Sequence, residues 1–373
     1  MAHSQVRQNF HKDCEDAINK QVNLELFCSY TYMCMAHHFQ RDDVALSGFI
    51  HYFKHACDSE RDHAHLLMDY QNSRGGRIAL KAIEAPGRQE WDTPQEAMQD
   101  ALELEKRVNE ARHMDVNLCD YLETNFLQEQ VTSIKEIADY VTNLKRVGEG
   151  PSCNVSTYDS LVKQKSSGSD RKKCGKNEEH PGRHKFHKEV EAALNEQIEI
   201  EFKASFAYLS MACYYGKSQV ALPGCQGFFM KMHEEEHEHG IVFLNYVLMR
   251  GGQVQVPCIK PPDIQDWKDI SKTFLTAVRL ESQVKEKLEK LVVLAEKHRD
   301  HQLVDFVSGR FLEEHNKSIQ TLGRLLTRSK MTNCDIGKHL FDLHVYESFV
   351  NNHKDNFMYK SELSEEELKR IYK

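Results

Sequence analysis

The stretch VALSGFIHYFKHACDSERDHAHLLMDYQNSRGG (44–76) decides the fold, because it returns 176 positions later as VALPGCQGFFMKMHEEEHEHGIVFLNYVLMRGG (220–252). Both stretches open on Val-Ala-Leu and close on Arg-Gly-Gly, and between these points each reads as one long helix, about 46–73 and about 225–249. Inside it, Glu60-Arg61-Asp62-His63 stands where the later copy has Glu236-His237-Glu238-His239. Residues three apart share a helical face, so each Glu-x-x-His can aim a carboxylate oxygen and an imidazole nitrogen at one point.

Outward from this helix the repetition continues. Phe10-His11-Lys12 returns as Phe186-His187-Lys188 and Trp91 as Trp267, at the same offset. Further on, Asp120 matches Asp305, Phe126-Leu127 matches Phe311-Leu312 and Thr142 matches Thr327, now 185 apart. One unit is duplicated, and the first copy lacks nine residues after about position 109. As helix that is roughly 13 Å. The interval from Asp120 to Gln130 equals that from Asp305 to His315, so the loss falls near the end of the third helix and the turn after it. The period is far beyond solenoid length, so each copy is expected to be a whole domain.

The chain is expected to be all-α, with four long helices per copy. They are read at about 11–38, 46–73, 93–113 and 117–145, then at about 187–214, 225–249, 269–298 and 301–328. The non-periodic stretch 74–92 can serve as a long crossover between the second and third helices of a bundle. Residues 336–345 suggest a short fifth helix in the second copy, and 156–162 are the weaker candidate in the first. The expected division is a first domain at 1–147, a flexible basic linker at 148–183, a second domain at 184–346 and a tail at 347–373, with a short capped helix at 364–371. Such a linker reaches on the order of 30 Å, enough for the domains to lie side by side.

A length of 373 residues suits two domains. A net charge of −8 gives no reason to expect nucleic acid or an anionic membrane as partner, and no run approaches a membrane span. The polar start MAHSQVRQNFHKD and eleven scattered Cys without a CxxC pair lead to the expectation of a cytoplasmic protein with reduced thiols.

Each helix of a copy places one polar group at mid-length. The first offers Glu25 and Glu201, each flanked by apolar residues, and the third offers Glu105 and Glu281. Gln130 and His315 stand on the fourth. Carboxylates plus one His per bundle suit two iron ions sharing a bridging Glu. A single Glu-x-x-His is ordinarily a solvated surface pair; here four helices each place a polar group at mid-length, and do so twice. His51 with His55, His37 with His38, and His233 read as structural or solvated.

SerGlnValArgGlnAsnPheHis (4–11), AsnLeuGluLeu (23–26), ArgAspAspValAlaLeu (41–46), GlnAsnSerArgGlyGlyArgIle (71–78), LeuCysAspTyrLeuGluThr (118–124) and ValThrAsnLeu (141–144) resemble the ferritins, most of all the heavy-chain, ferroxidase type. The first copy is similar from about 4 to 147, the second more loosely from about 186 to 345. The resemblance implies two ferritin-like four-helix bundles in tandem, where the family ordinarily has one. It implies a first iron held by Glu25, Glu60 and His63, and a second sharing Glu60 and using Glu105, with Gln130 placing water or dioxygen and Tyr32 beside the site. In the second copy the corresponding residues are Glu201, Glu236, His239, Glu281 and Tyr208, with His315 departing from the family's Gln. Asp120, Glu123 and Asp305 match channel acids, while Ser308 replaces one. Ser59 and His65 replace acidic inner-surface positions in the first copy.

The implied activity is oxidation of Fe(II) by dioxygen or peroxide at a di-iron centre, with an Fe(III) oxyhydroxide mineral stored in a hollow shell. About 12 such chains would supply a shell of about 24 four-helix units. The competing reading is a cage protein in which only one domain is active. A di-iron oxygenase is disfavoured, because neither Gln130 nor His315 belongs to a second Glu-x-x-His.

Overall fold

The computed structural model describes residues 4–8, 10–110, 128–149, 186–332 and 334–351. The first copy is built from α1 (Lys12–Gln40), α2 (Ser47–Ser73), α3 (Pro94–Glu110) and α4 (Gln128–Glu149). The second is built from α5 (Lys188–Tyr215), α6 (Pro223–Met249), α7 (Ile270–Lys297), α8 (His301–Val307) and α9 (Glu313–Ser329), followed by a fifth-helix segment, α10 (Asp335–Val345). Within each copy the first two helices pair, and the last two, which follow the long crossover, pair with each other. Two readings are refined. The fourth helix of the second copy is interrupted by a π turn at Ser308–Leu312, and the short fifth helix continues into another at Tyr346–Val350. The channel residues Asp120 and Glu123, the linker, the 156–162 segment and the tail helix lie outside the described residues. Among the described residues no helix is long and apolar enough to cross a membrane.

The repeated motifs have a physical cause. Gly75 and Gly251 end the second helix of each copy at φ 71° and 68°, in the left-handed region that glycine enters without a Cβ penalty. The next glycine makes room for a ring: a Cβ on Gly76 would sit 2.8 Å from the Phe10 ring, and one on Gly252 would sit 2.7 Å from Phe186. The Arg before each pair covers the same ring, Arg74 at 5.1 Å over Phe10 and Arg250 at 4.9 Å over Phe186. Phe-His-Lys and Arg-Gly-Gly are therefore two halves of one contact. The Val-Ala-Leu turns repeat as faithfully, with Ala45 and Ala221 both at φ 49°.

α10 is tied to the bundle through α6, whose N-cap residue Leu222 supplies no side-chain bond. Asp342 fills that role, accepting from Gly224 N at 3.0 Å and Cys225 N at 2.7 Å.

The two copies lie against each other about a pseudo-two-fold axis. Ile83 and Ile259, both fully buried, form an antiparallel bridge between the two crossovers. Gln89 brackets Val256, donating to its O at 3.1 Å and accepting from its N at 2.9 Å. Gln265, the counterpart of Gln89, does the same to Leu80, the counterpart of Val256, at 3.0 Å each way. Away from the crossovers, Tyr30 meets Phe202 edge to face with centroids 5.5 Å apart, and Cys213 Sγ lies 3.5 Å from Met68 Sδ.

Candidate metal centre

In the second copy, five side chains from four helices meet in the middle of the bundle. α5 brings Glu201, α6 brings Glu236 and His239, α7 brings Glu281 and α9 brings His315, all buried. One ligand atom from each of Glu201, Glu236, His239 and His315 lies within 4.8 Å of the others. Glu201 Oε2, Glu236 Oε2, His239 Nδ1 and His315 Nε2 are buried and have no hydrogen-bond partner. Orphaned acceptors at one buried point are expensive unless a cation completes them.

Each donor is held from behind. Gln197, one turn before Glu201, donates to Glu201 Oε1 at 2.7 Å. Tyr208 O–H donates to Glu281 Oε1 at 2.6 Å. His315 Nδ1 is 2.9 Å from Glu281 Oε2, and since a carboxylate only accepts, Nδ1–H is the donor. That bond fixes the tautomer and leaves the His315 Nε2 lone pair directed at the cluster, the arrangement in which a carboxylate orients a metal-binding histidine.

The charges follow. Burial, then the neighbouring Glu236, pushes the Glu201 carboxyl well above its usual range. Burial and Glu281 do the same to Glu236. Burial opposes the charged form of His239, but the Glu314 and Glu201 carboxylates outweigh it and its pKa is raised. The site thus resists filling with negative charge on its own, which is the condition a divalent cation relieves. A cavity of about 520 Å³ opens beside it between α6 and α9, with Glu235 and Glu314 in its wall. Glu235 is pushed up to about 7 by burial and then by Glu314. Glu314 is held down to about 2 by His239, whose Nε2 is 3.5 Å away.

The first copy places Glu25, Glu60 and His63 together, again with ligand atoms within 4.8 Å, all three buried. His63 Nδ1 is 3.4 Å from Glu60 Oε2, Gln21 donates to Glu25 Oε1 at 2.7 Å, and Tyr32 O–H donates to Glu105 Oε1 at 2.5 Å. The glutamine and tyrosine bonds repeat those of the second copy, while His239 Nδ1 and Glu236 Oε2 lie slightly further apart, at 3.6 Å. Gln130 is in the first turn of α4, where the backbone alone is described.

Of the other sequence candidates, Asp305 is exposed on α8, and His51 and His55 are exposed on α2. His37, His38 and His233 are buried, and burial lowers the pKa of all three. Sequence reasoning missed Glu314 as the partner of His239, and Gln21 and Gln197 behind the first-helix carboxylates. The Gln-x-x-x-Glu spacing was a usable signal, since residues four apart stack on one face.

A family model described as the ferritin-like domain matches residues 15–147 and 191–332. Soma ferritin of Lymnaea stagnalis is 55% identical over 159 residues, covering 40% of this chain and 91% of that protein. The ferritin-1 heavy chain of Schistosoma mansoni is 51% identical over 156 residues, covering 39% and 90%. The middle subunit ferritin of Salmo salar is 52% identical over 153 residues, covering 39% and 87%.

Proposed function

The chain belongs to the ferritin family, as two ferritin-like domains in tandem, and on that premise we propose that it stores iron, oxidising Fe(II) at a paired-iron site in each domain. The observation that carries this is the set of four orphaned, buried ligand atoms converging in the second copy. Two Glu, one bridging Glu and one or two His form a donor set suited to divalent iron as substrate. In this reading Glu201, Glu236 and His239 hold one Fe(II), while Glu236, Glu281 and His315 hold the other. Glu25, Glu60, His63 and Glu105, with Gln130, take the same places in the first copy.

The protein's contribution is position and charge. Tyr208 and His315 clamp both oxygens of Glu281, so that carboxylate meets the ion without reorganising. Each Fe(II) gives up one electron, which dioxygen or peroxide accepts, and the Fe(III) product is deposited as oxyhydroxide mineral. Glu235 and Glu314, in the wall of the cavity beside His239, offer carboxylates to the departing product.

The reading extends to assembly. The pseudo-two-fold pairing makes each chain a ready-made pair of bundles, so a closed shell of about 24 bundles takes about 12 chains. The segment 148–183 acts as the linker within each pair.

Glu60→Gln and Glu236→Gln, singly and together in the full chain, test the chemistry through the aerobic rise in Fe(III) absorbance. Each single variant should lower the initial rate by about half, and the double variant should fall to the protein-free rate; a double variant at the parent rate would overturn the enzymatic reading. A second reading, in which only the second domain is active and the first shapes the cage, has its own support: Ser59 stands in the first copy where the second has Glu235. It predicts that Glu236→Gln alone abolishes the rate and Glu60→Gln leaves it unchanged.

A further inference from the structure

A second cluster of ligand-type side chains lies at the end of the second bundle, away from the paired site. His187 caps the N-terminus of α5, Glu189 lies in its first turn, and His298 caps the C-terminus of α7. One ligand atom from each of the three lies within 4.8 Å of the others. The two imidazoles stack with centroids 3.8 Å apart, and His298 Nε2 is 2.8 Å from Glu189 Oε2. Glu201 is fourteen residues further along α5, so this cluster is about 20 Å from the paired site.

We propose that His187, Glu189 and His298 form a surface site for a single divalent transition-metal ion of the zinc, copper or cobalt class, linking the start of α5 to the end of α7. Two imidazole nitrogens and one carboxylate oxygen are the donor types these ions take, and solvent supplies the remaining positions. Glu189 is ionised at neutral pH: hydrogen bonds from His298 and Lys297 hold its carboxyl down to about 2. The ion takes the place of the proton that His298 Nε2 now donates to Glu189, the ring carrying its proton on Nδ1 instead so that the Nε2 lone pair faces the ion. At His187 it takes Nδ1, in place of the long 3.2 Å cap bond from Glu189 N. Lys297 Nζ, 3.1 Å from Glu189 Oε2, shifts to the other carboxylate oxygen or to solvent. His187 and Glu189 are exposed and His298 is half-buried, so the His187 ring can swing from the stacked arrangement to converge with the other two on one ion.

The arrangement is specific to the second copy among the described residues. In the first, His11 makes the same cap, accepting from Asp13 N at 3.3 Å, and among the described residues no second histidine lies beside it.

Calorimetric titration of the full chain with Zn²⁺ tests this, beside His187→Gln, His298→Gln and the double variant Glu201→Gln/Glu236→Gln. Each His variant should lose one equivalent of bound Zn²⁺, or weaken it at least tenfold, and leave the others as they were. The Glu201/Glu236 variant should retain the equivalent that the His variants lose. Co²⁺ gives an independent readout, because that equivalent should carry a visible absorption band that the His variants lack. Unchanged Zn²⁺ stoichiometry and affinity in either His variant, with helicity intact, would reduce the cluster to a capping contact and overturn the proposal. The two substitutions are at the ends of different helices, His187 exposed and His298 half-buried, so a folding defect in one leaves the other to decide.

Discussion

Ile83 and Ile259 hydrogen-bond each other in both directions, N to O at 2.9 Å each way, and each is the other's counterpart in the duplicated sequence. A residue that pairs with its own repeat must lie next to a two-fold relation, so the two domains are joined as a symmetric pair and not merely strung along one chain. The two glutamines that bracket Leu80 and Val256 obey the same symmetry.

The first prediction follows from those glutamines. Replacing Gln89 or Gln265 by Ala strips partners from one backbone N–H and one C=O in a part-buried seam. Each substitution should destabilise by about 1–3 kcal/mol, and the double variant by about the sum, since the two sites share no partner. Denaturant midpoints of the full chain measure this. A double variant within about 0.5 kcal/mol of the parent would mean that the crossovers touch without stabilising the pair.

Asp69 provides a pH test of the same seam. Burial pushes its carboxyl up to about 7. Its counterpart in the second copy is Asn245, whose Oδ1 accepts from Gln40 Nε2 at 3.0 Å, whereas the counterpart of Gln40 is Gly216, with no side chain to offer. A folded pKa above the unfolded value means that the folded state holds the proton more tightly. The ionisation penalty is therefore absent below the unfolded value near ~4, grows as pH rises, and is complete above about 7. Asp69→Asn should leave stability unchanged near pH ~4 and raise it by on the order of 2 kcal/mol above pH ~7. Thermal melts across that range should show the gap opening; a constant difference at every pH would rule out ionisation as its cause.

His315→Gln tests the clamp on Glu281. An amide can still donate to Glu281 Oε2 but replaces the imidazole lone pair with a weaker carbonyl donor. Anaerobic Fe(II) titration, with Glu60→Gln silencing the first copy, should show the second-copy affinity falling by about tenfold. Equal isotherms with and without His315 would remove it from the ligand set.

The docking of α10 depends on one carboxylate and one missing side chain. Asp342→Ala should cost about 1–2 kcal/mol, because it leaves the N–H groups of Gly224 and Cys225 without their cap. Gly224→Ala should act more strongly, since its Cβ would fall 2.1 Å from the Asp342 carbonyl oxygen, a backbone atom that cannot rotate away. Hydrogen exchange over residues 335–350 should accelerate in both variants, and protection equal to the parent's would show that α10 is held elsewhere.

The duplication, the helices and the punctuation between them were legible in the residues alone, because helical periodicity, Gly and Pro placement and repetition at a fixed offset are local properties. Glu60 with His63 and Glu236 with His239 were legible for the same reason: three residues along a helix return to the same face. Glu201, Glu281 and His315 were candidates from their mid-helix place repeated in both copies, but their ligand roles came from the family resemblance, since no spacing relates residues on different helices. Tertiary structure decided the rest. Glu314 reaches His239 just beyond a π turn, whose extra residue per turn shifts the register and leaves no mark in a hydrophobic pattern. Asp342 caps a helix more than a hundred residues before it. His187, Glu189 and His298 became neighbours only when the start of one helix met the end of another. Local sequence determines which face of a helix carries which chemistry; what that face meets is set by the packing of whole bundles, where the partners are far apart along the chain.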